Sequence, residues 1–338
     1  MSRLRTLTLF AALLALATAF VACGDGGTDD PQQVLNKATL KGVESGEIDL
    51  AMGIDVEGRK GGHVDVTLSG PFQTESEEEL PELDMTATAK GSVGGEKIDF
   101  EGGLVLLGDK AYVNYEGTEY EVDSTTFNFV RAMLRQKGRG QDRSSEATAC
   151  QEAFTELDLG EFVDNPSETS GAEVGGTSTT KVSGDVNAEG AINALIELSE
   201  DPACSEQLDA TGAVPSTAEL DKAKSTVKDS LKDAHLELYV GDDDIVRRIA
   251  AHATVEPPRS SDSGDAKKVE VDLDLTLTGV NEEQTITEPQ RSEALSELFI
   301  RLGINPIELL GLLQGEEGLS SGGLNGLLEK LGSVGSAQ

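Results

Sequence analysis

Apolar and polar residues alternate with a period of two over long stretches of this chain. The clearest stretch runs from Ile48 to Val56, and others cover residues 64–68, 85–89 and 269–277. Because successive side chains of a β-strand point to opposite faces, this alternation predicts strands with one buried and one solvated face. Such strands are typical of antiparallel sheets. We therefore predict that a large antiparallel sheet forms most of the fold.

Gly- and Asp-rich turns separate the shorter strands, and segments with a helical period lie between them. The turns at Gly108 and Gly117 predict a meander of neighbouring strands. Within the body of the chain, helices are predicted at residues 34–40, 125–136, 150–157, 188–198 and 216–231. Three amphipathic helices are predicted near the C-terminus, at residues 290–302, 306–313 and 324–331. The predicted fold class is α+β.

The first 23 residues have the pattern of a secretory signal peptide. Arg3 and Arg5 precede an apolar run from Leu7 to Ala22, and Cys23 follows directly. A basic start, a short apolar run and a small residue before the cleavage point are typical of such signals. The run is shorter than the roughly 20 apolar residues that a membrane-spanning helix needs. We therefore predict that residues 1–22 are cleaved from the chain.

The junction between Ala22 and Cys23, followed by a run rich in Gly and Asp, resembles a bacterial lipobox. The resemblance implies that the Cys23 thiol receives a diacylglycerol. The protein would then be anchored to the cell membrane and face the extracytoplasmic side. Residues 23–33 are predicted to form a flexible tether. A plain signal peptide with an incidental cysteine is the alternative.

Two cysteines remain if Cys23 carries lipid, and these are Cys150 and Cys204. The oxidising conditions outside the cytoplasm favour a disulfide between them. In the chain-entropy model, closing a loop of this length stabilises a fold by about 4 kcal/mol. Two free buried thiols are the alternative.

The formal charge of −35 limits the partners of the protein. The acidic residues are spread along the chain rather than collected in a tail, so they are expected to solvate one face of many elements. Such a surface repels phosphate backbones and anionic lipid head groups, which excludes nucleic acid as a partner. Membrane attachment is therefore expected through the lipid on Cys23 rather than through charge.

Residues with catalytic or metal-binding potential are few. His63, His235 and His252 lie in or beside alternating strands, without the spacing of a metal site. Residues 318–322 match the G-x-S-x-G pattern, but they lie between two predicted helices, whereas the catalytic elbow joins a strand to a helix. We expect no catalytic residue, no metal site and no cofactor, and we predict that the protein is not an enzyme.

Residues 239–248 read Tyr-Val-Gly-Asp-Asp-Asp-Ile-Val-Arg-Arg, a strand that reverses at a Gly/Asp turn into a strand opening with apolar residues and arginine. With long alternating strands before it, this order of elements resembles the LppX–LprG lipoproteins and the wider LolA/LolB-like superfamily over residues 32–288. The resemblance implies a strongly curved antiparallel sheet, a half-barrel, whose concave face is covered by helices around an apolar cavity. It also implies carriage of the acyl chains of lipids or glycolipids, without catalysis.

Apolar positions of the early strands are then the candidates for the cavity lining. They are Leu50, Met52, Ile54, Val66, Leu68, Met85, Phe100, Leu104 and Leu106. In the alternative interpretation the same residues fill a solid core, and the protein is a structural or interaction lipoprotein whose terminal helices bind a protein partner. The predicted organisation is a signal peptide (1–22), a tether (23–33), a half-barrel domain (34–288) and a C-terminal helical extension (289–338).

Overall fold

The computed structural model of the chain describes residues 30–74, 80–139, 162–200, 204, 230–257 and 266–303. In these ranges twelve strands form a single sheet. The strands are β1 (Ser45–Gly58), β2 (Gly62–Gln73), β3 (Glu82–Val93), β4 (Glu96–Leu106), β5 (Ala111–Tyr115), β6 (Thr118–Glu121), β7 (Val163–Val174), β8 (Thr177–Val186), β9 (Leu231–Gly241), β10 (Val246–Val255), β11 (Ala266–Thr278) and β12 (Glu293–Ala294). The helices of these ranges are α1 (Pro31–Lys37), α2 (Ser124–Arg139), α3 (Ala188–Glu200) and α4 (Leu295–Leu302).

Two antiparallel meanders make up the sheet, and β1 joins them. Strands β1 to β6 follow one another in space, as do β7 to β11, and β1 pairs with β11. The order across the sheet is β12-β6-β5-β4-β3-β2-β1-β11-β10-β9-β8-β7, so the sheet is open, with β12 and β7 at its edges. The short pairing of β12 with β6 is parallel.

Strand register brings apolar residues side by side on one face of the sheet. Leu50 of β1 lies between Leu68 of β2 and Leu275 of β11. Asp49, the preceding residue, points to the opposite face because side chains alternate along a strand. We call the side of Leu50 the apolar face and the side of Asp49 the polar face.

Helix α1 begins directly after its N-cap residue Asp30, whose side chain accepts a hydrogen bond from the backbone N–H of Gln32. A carboxylate cap and a proline in the first turn both favour a helix start. The helix begins earlier than the sequence pattern predicts, so residues 31–33 are helical rather than part of a tether. Its Leu35, together with the adjoining Ala38, packs on the apolar face within the main buried cluster.

The predicted fold class is confirmed, since the chain forms a large open antiparallel sheet with helices, consistent with an α+β half-barrel. One helix prediction is wrong at its start. The pattern over residues 290–302 predicts a single helix, but the chain forms β12 and then α4. Glu293 and Ala294 pair with Tyr120 and Glu121 of β6, so their backbone groups bond to the sheet instead of to a helix.

Several predictions concern residues outside the described ranges. The signal peptide, Cys23, Cys150 and the helices predicted at 150–157, 306–313 and 324–331 belong to this group. The helix predicted at 216–231 also lies outside them, apart from its end, where Leu231 begins β9. Apart from residues 31–33, which belong to α1, the division of the chain into residues 1–22, 23–33, 34–288 and 289–338 stays a prediction.

Candidate functional site

All nine residues predicted to line a cavity lie on the apolar face. Leu50 pairs with Leu68 and Met52 with Val66 across β1 and β2, and Met85 of β3 pairs with Leu104 of β4. The remaining three, Ile54, Phe100 and Leu106, lie an even number of residues from these along the same strands. The structure therefore brings the predicted set together on one surface, while its role as a ligand site stays a prediction.

Burial divides the apolar face into a covered part and an exposed part. In β8 to β11 it is closed, and Leu238 and Ile249 are 1% and 0% exposed. In β3 and β4 it is open, with Val93, Phe100 and Leu104 exposed at 37%, 38% and 41%. Phe100 and Leu104 lie four residues apart along β4, or about 13 Å at 3.3 Å per residue, and Val93 lies at the end of the neighbouring strand β3. We call the face of β1 to β4 that surrounds these three residues the exposed middle.

Helices cover the two flanks of the exposed middle. On one flank α1 packs on β7 and β8. On the other flank α4 packs on β6, where Leu298 and Leu302 contact Tyr120. Arg301 of α4 adds an ion pair to Glu116, with 2.6 Å between Nη2 and Oε2. The helices described on the two flanks thus leave the centre of the sheet as its most accessible apolar part.

Two glycines on this face let β2 and β3 approach each other closely. Gly70 and Gly91 have φ of +146° and +148°. A Cβ at Gly70 would lie 1.9 Å from the backbone oxygen of Asp84, and one at Gly91 would lie 2.0 Å from that of His63. No larger residue fits either position without moving the backbone. Strand glycines of this kind permit the bending that a curved sheet requires.

The polar face carries all three histidines of the chain, brought close together by register. His252 of β10 pairs with His235 of β9 on one side and with Asp272 of β11 on the other. The row continues to Asp185 on β8 in one direction and through Gly53 of β1 to Asp65 of β2 in the other. We call these six residues the histidine row. A cleft of about 500 Å³ lies over the row from His235 to Asp65, and the absence of a side chain at Gly53 helps to open the cleft.

Carboxylates hold His63 at one end of this cleft. Its Nδ1 lies 3.0 Å from Oδ2 of Asp55, and its Nε2 lies 2.7 Å from Oδ2 of Asp65. Hydrogen bonds to Asp65 and Asp55 raise the pKa of His63 above its usual range. Both ring nitrogens are engaged by carboxylates, so neither is available to a metal ion. Within the described residues, no group of three or more His, Cys, Asp and Glu is placed to hold a metal.

Thr254, His252 and Asp272 have the order hydroxyl, imidazole, carboxylate that is found in hydrolytic triads. Asp272 Oδ1 lies 2.7 Å from Nδ1 of His252, and Thr254 Oγ1 lies 3.3 Å from Nε2. A triad also needs an accessible nucleophile and backbone N–H groups aimed at an oxyanion. Here Thr254 is buried, and it lies on a central strand paired on both sides, with Asp233 and with Glu270. The arrangement fits a structural contact between strands better than catalysis.

The sequence pattern places each histidine separately, in or beside an alternating strand, and it does not predict that the three lie together. The local pattern carries no signal for this, because it does not reveal which strands become neighbours.

Cys204 is completely buried and is not a free thiol. Its predicted partner, Cys150, lies outside the described residues, so the pairing stays a prediction. Cys23 and the predicted lipidation there also lie outside them. In the described part of the chain, no helix has the length and apolar character to cross a membrane.

No protein-family model and no curated protein matches the sequence. Solved structures do match, among them LprF from Mycobacterium bovis, with 15% sequence identity and a TM-score of 0.34. The match covers 78% of this chain and 99% of that chain. The fold class itself follows from the strand order and register given above.

Proposed function

We propose that the protein binds a lipid or another hydrophobic ligand on the exposed middle of the apolar face, without catalysing a reaction on it. The observation that carries this proposal is the exposure of Phe100 and Leu104 on a face that is closed in β8 to β11. Burying a fully exposed Leu or Phe side chain contributes about 1.5–3 kcal/mol, so covering the exposed two-fifths of Phe100 and of Leu104 contributes about 1 kcal/mol each. An acyl chain that lies across both residues gains this contribution from each of them.

We also infer that the protein acts on the extracytoplasmic side of a cell membrane, where a lipid on Cys23 anchors it. The basic start, the apolar run and the Ala22-Cys23 junction support this location. The net charge of −35 supports a covalent anchor over electrostatic attraction to anionic lipid. An anchored protein can exchange apolar ligands with the membrane beside it.

A second candidate is a structural or interaction lipoprotein with a filled core and a protein partner. The closed part of the apolar face supports this candidate, because Leu238 and Ile249 are as buried as residues of any solid core. The two functions differ in what covers Phe100 and Leu104, since a carrier places lipid there and an interaction protein places another chain there.

Binding of a defined apolar probe tests the proposal. The soluble Cys23→Ala form of the full chain is purified without detergent, examined by native mass spectrometry for bound lipid, and titrated with a pyrene-labelled fatty acid. Leu104→Asp places a charge on the exposed middle and is expected to weaken binding of the fatty acid at least tenfold. Thr86→Asp is the matched control, because Thr86 is exposed on the polar face of the neighbouring strand. A wild-type chain that carries no lipid and binds no fatty acid refutes the proposal and favours the second candidate.

A further inference from the structure

We propose that the anchored protein turns the apolar face of its sheet toward the membrane and that Ile300 of α4 inserts into the lipid interface. The inference rests on the proposed function, because it requires the lipid anchor at Cys23. It adds a membrane-contacting side chain that lies outside the exposed middle, and the partner of this side chain is the bilayer itself.

Ile300 is the most exposed of the large apolar side chains in the described part of the chain, at 72%. Leu298 and Leu302 of the same helix pack on Tyr120, which shares the apolar face with its partner Val113. Successive residues of an α-helix are rotated by about 100°, so Ile300, two positions from each leucine, points away from the sheet. The side chain therefore projects outward from the apolar side of the protein, where nothing in the described chain covers it.

The predicted lipid anchor joins the body of the protein on the same side of the sheet. Cys23 is seven residues before Asp30, the N-cap of α1, and a chain of this length spans at most about 25 Å. Leu35 of α1 packs on the apolar face. The backbone N–H of Thr39 donates a hydrogen bond of 2.9 Å to the carbonyl of Asp244, so the end of α1 is fixed to the turn between β9 and β10. A lipid held in the membrane therefore keeps the start of α1, on the apolar side, close to the bilayer.

Acidic residues are sorted between the two faces of the sheet. In β1 to β3 and in β9 to β11, strand register and the alternation of side chains place every Asp and Glu on the polar face. These residues are Glu47, Asp49, Asp55, Glu57, Asp65, Glu82, Asp84, Asp233, Glu237, Glu270, Asp272 and Asp274. In β4, Asp99 and Glu101 follow the same rule, and Glu96 at the start of the strand is the exception. The apolar face is therefore the side of this acidic protein that anionic head groups repel least.

Distance weakens the remaining repulsion at Ile300. The outer side of α4 is about one helix diameter, roughly 10 Å, above the sheet. Charges separated by more than about 8 Å are largely screened at physiological ionic strength. With the apolar face toward the bilayer, the carboxylates of the polar face therefore contribute little at this position. One isoleucine does not hold a soluble protein on a membrane, so the contact is expected only in the anchored chain.

Fluorescence of a single tryptophan tests the contact, because the chain contains no tryptophan of its own. Ile300→Trp is introduced into the full, lipid-anchored chain, which is incorporated into phosphatidylcholine vesicles with and without bromine on the acyl chains. Bromine quenches tryptophan only at close contact, so we expect the emission to shift to shorter wavelength in vesicles and to be quenched by brominated lipid. Thr86→Trp is the matched control, because Thr86 is exposed on the polar face, and its emission is expected to change in neither respect.

Two results of this measurement overturn the proposal. The first is an equal response to brominated lipid from the tryptophans at positions 300 and 86 of the anchored chain. The second is a shift to shorter wavelength at position 300 without quenching by bromine, because a protein surface, such as a second copy of the chain, then covers the helix. The Cys23→Ala form of the Ile300→Trp variant, mixed with the same vesicles, is expected to show neither the shift nor the quenching.

Titration with the pyrene-labelled fatty acid separates the failure of this inference from the failure of the proposed function. Ile300→Asp in the soluble Cys23→Ala form is expected to bind the fatty acid like its parent, because Ile300 lies outside the exposed middle. If the tryptophan at position 300 is quenched but no form binds the fatty acid, the proposed lipid binding fails and the membrane contact stands. If the fatty acid binds and the anchored tryptophan is not quenched, the contact fails and the lipid binding stands. A chain that does not enter the vesicle fraction lacks the anchor, and this inference then fails with it.

Discussion

The hydroxyl of Tyr112 donates a hydrogen bond of 2.5 Å to Oε1 of Glu288, a residue far away in sequence. The contact fixes the segment that follows β11 against β5, on the way to β12 and α4. Lys110 adds an ion pair to the same carboxylate at 2.7 Å. Burial raises the pKa of Tyr112 to about 12, and the hydrogen bond to Glu288 adds to the shift. The tyrosine therefore stays protonated and remains a donor at any physiological pH.

Replacing Tyr112 by Phe is expected to lower the free energy of unfolding by about 1–2 kcal/mol. The substitution removes a hydrogen bond to a charged group, and such a bond contributes about 1.5–3 kcal/mol to the free energy of unfolding. Urea denaturation of the full chain measures the change. Tyr115→Phe is the control, because the ring that lies under the Arg301 guanidinium is retained in that variant. Equal effects of the two substitutions would count against the role of the Glu288 contact.

Stability is expected to depend on pH through His63. Its pKa is raised in the folded protein by hydrogen bonds to Asp65 and Asp55. The folded state therefore binds the proton more tightly than the unfolded state does, so the stabilisation is fully present below the ordinary pKa of about 6.5 and is lost as the pH rises through the raised value.

Thermal unfolding of wild type and His63→Gln across pH 5.5 to 8.5 measures this dependence. The wild type should exceed the variant in melting temperature most at the acidic end, and the difference should shrink as the pH rises. His235→Gln is a matched control, since the nearest carboxylate oxygen to His235, in Asp185, is 3.8 Å away. A difference that grows toward alkaline pH would contradict the sign of the prediction.

A charge on the apolar face should have opposite consequences in its two parts. Leu104→Asp is expected to leave the fold intact, because water already reaches the side chain at this position. Leu238→Asp is expected to unfold the protein, because an unpaired charge in a closed core costs several kcal/mol. Circular dichroism of both variants compares them. If Leu104→Asp unfolds the chain as Leu238→Asp does, the exposed middle is part of a filled core in solution.

Membrane attachment is expected to depend on Cys23. Lipid chains on this residue supply the hydrophobic anchor, and each buried methylene group contributes about 0.8 kcal/mol. Cys23→Ala should therefore move the protein from the membrane fraction to the soluble fraction when whole cells are fractionated. Retention of the variant in the membrane would show that another segment anchors the chain.

A disulfide between Cys150 and Cys204 is expected to stabilise the fold by up to about 4 kcal/mol in the chain-entropy model. Thiol titration of the denatured chain without its first 23 residues checks the bond. We expect no free thiol before reduction and two after it. Equal counts before and after reduction would exclude the bridge.

The alternation of apolar and polar residues predicts this fold well where one strand face is buried. The pattern from Ile48 to Val56 locates β1, and the common face of Leu50, Met52 and Ile54 follows directly from the period of two. The pattern fails at residues 290–302, because an edge of the sheet competes with the helix for the same backbone. It also cannot reveal the histidine row. That row depends on β1 lying beside β11, and the contact between these strands leaves no trace in the local sequence.

The pairing of β1 with β11 has a consequence for the order in which the protein can be completed. A short hairpin joins β1 to β2, so these two strands can pair early. The other edge of β1 pairs with β11, which ends at Thr278, opposite Glu47. During synthesis that edge presents free N–H and C=O groups, which are the groups that recruit foreign strands. Contacts between residues so distant in sequence form slowly. In a chain that stops before β11, the two meanders are therefore separate, and the free edge of β1 can pair with strands of other molecules. Once β11 has been synthesised, the two meanders can fold and unfold as one cooperative unit.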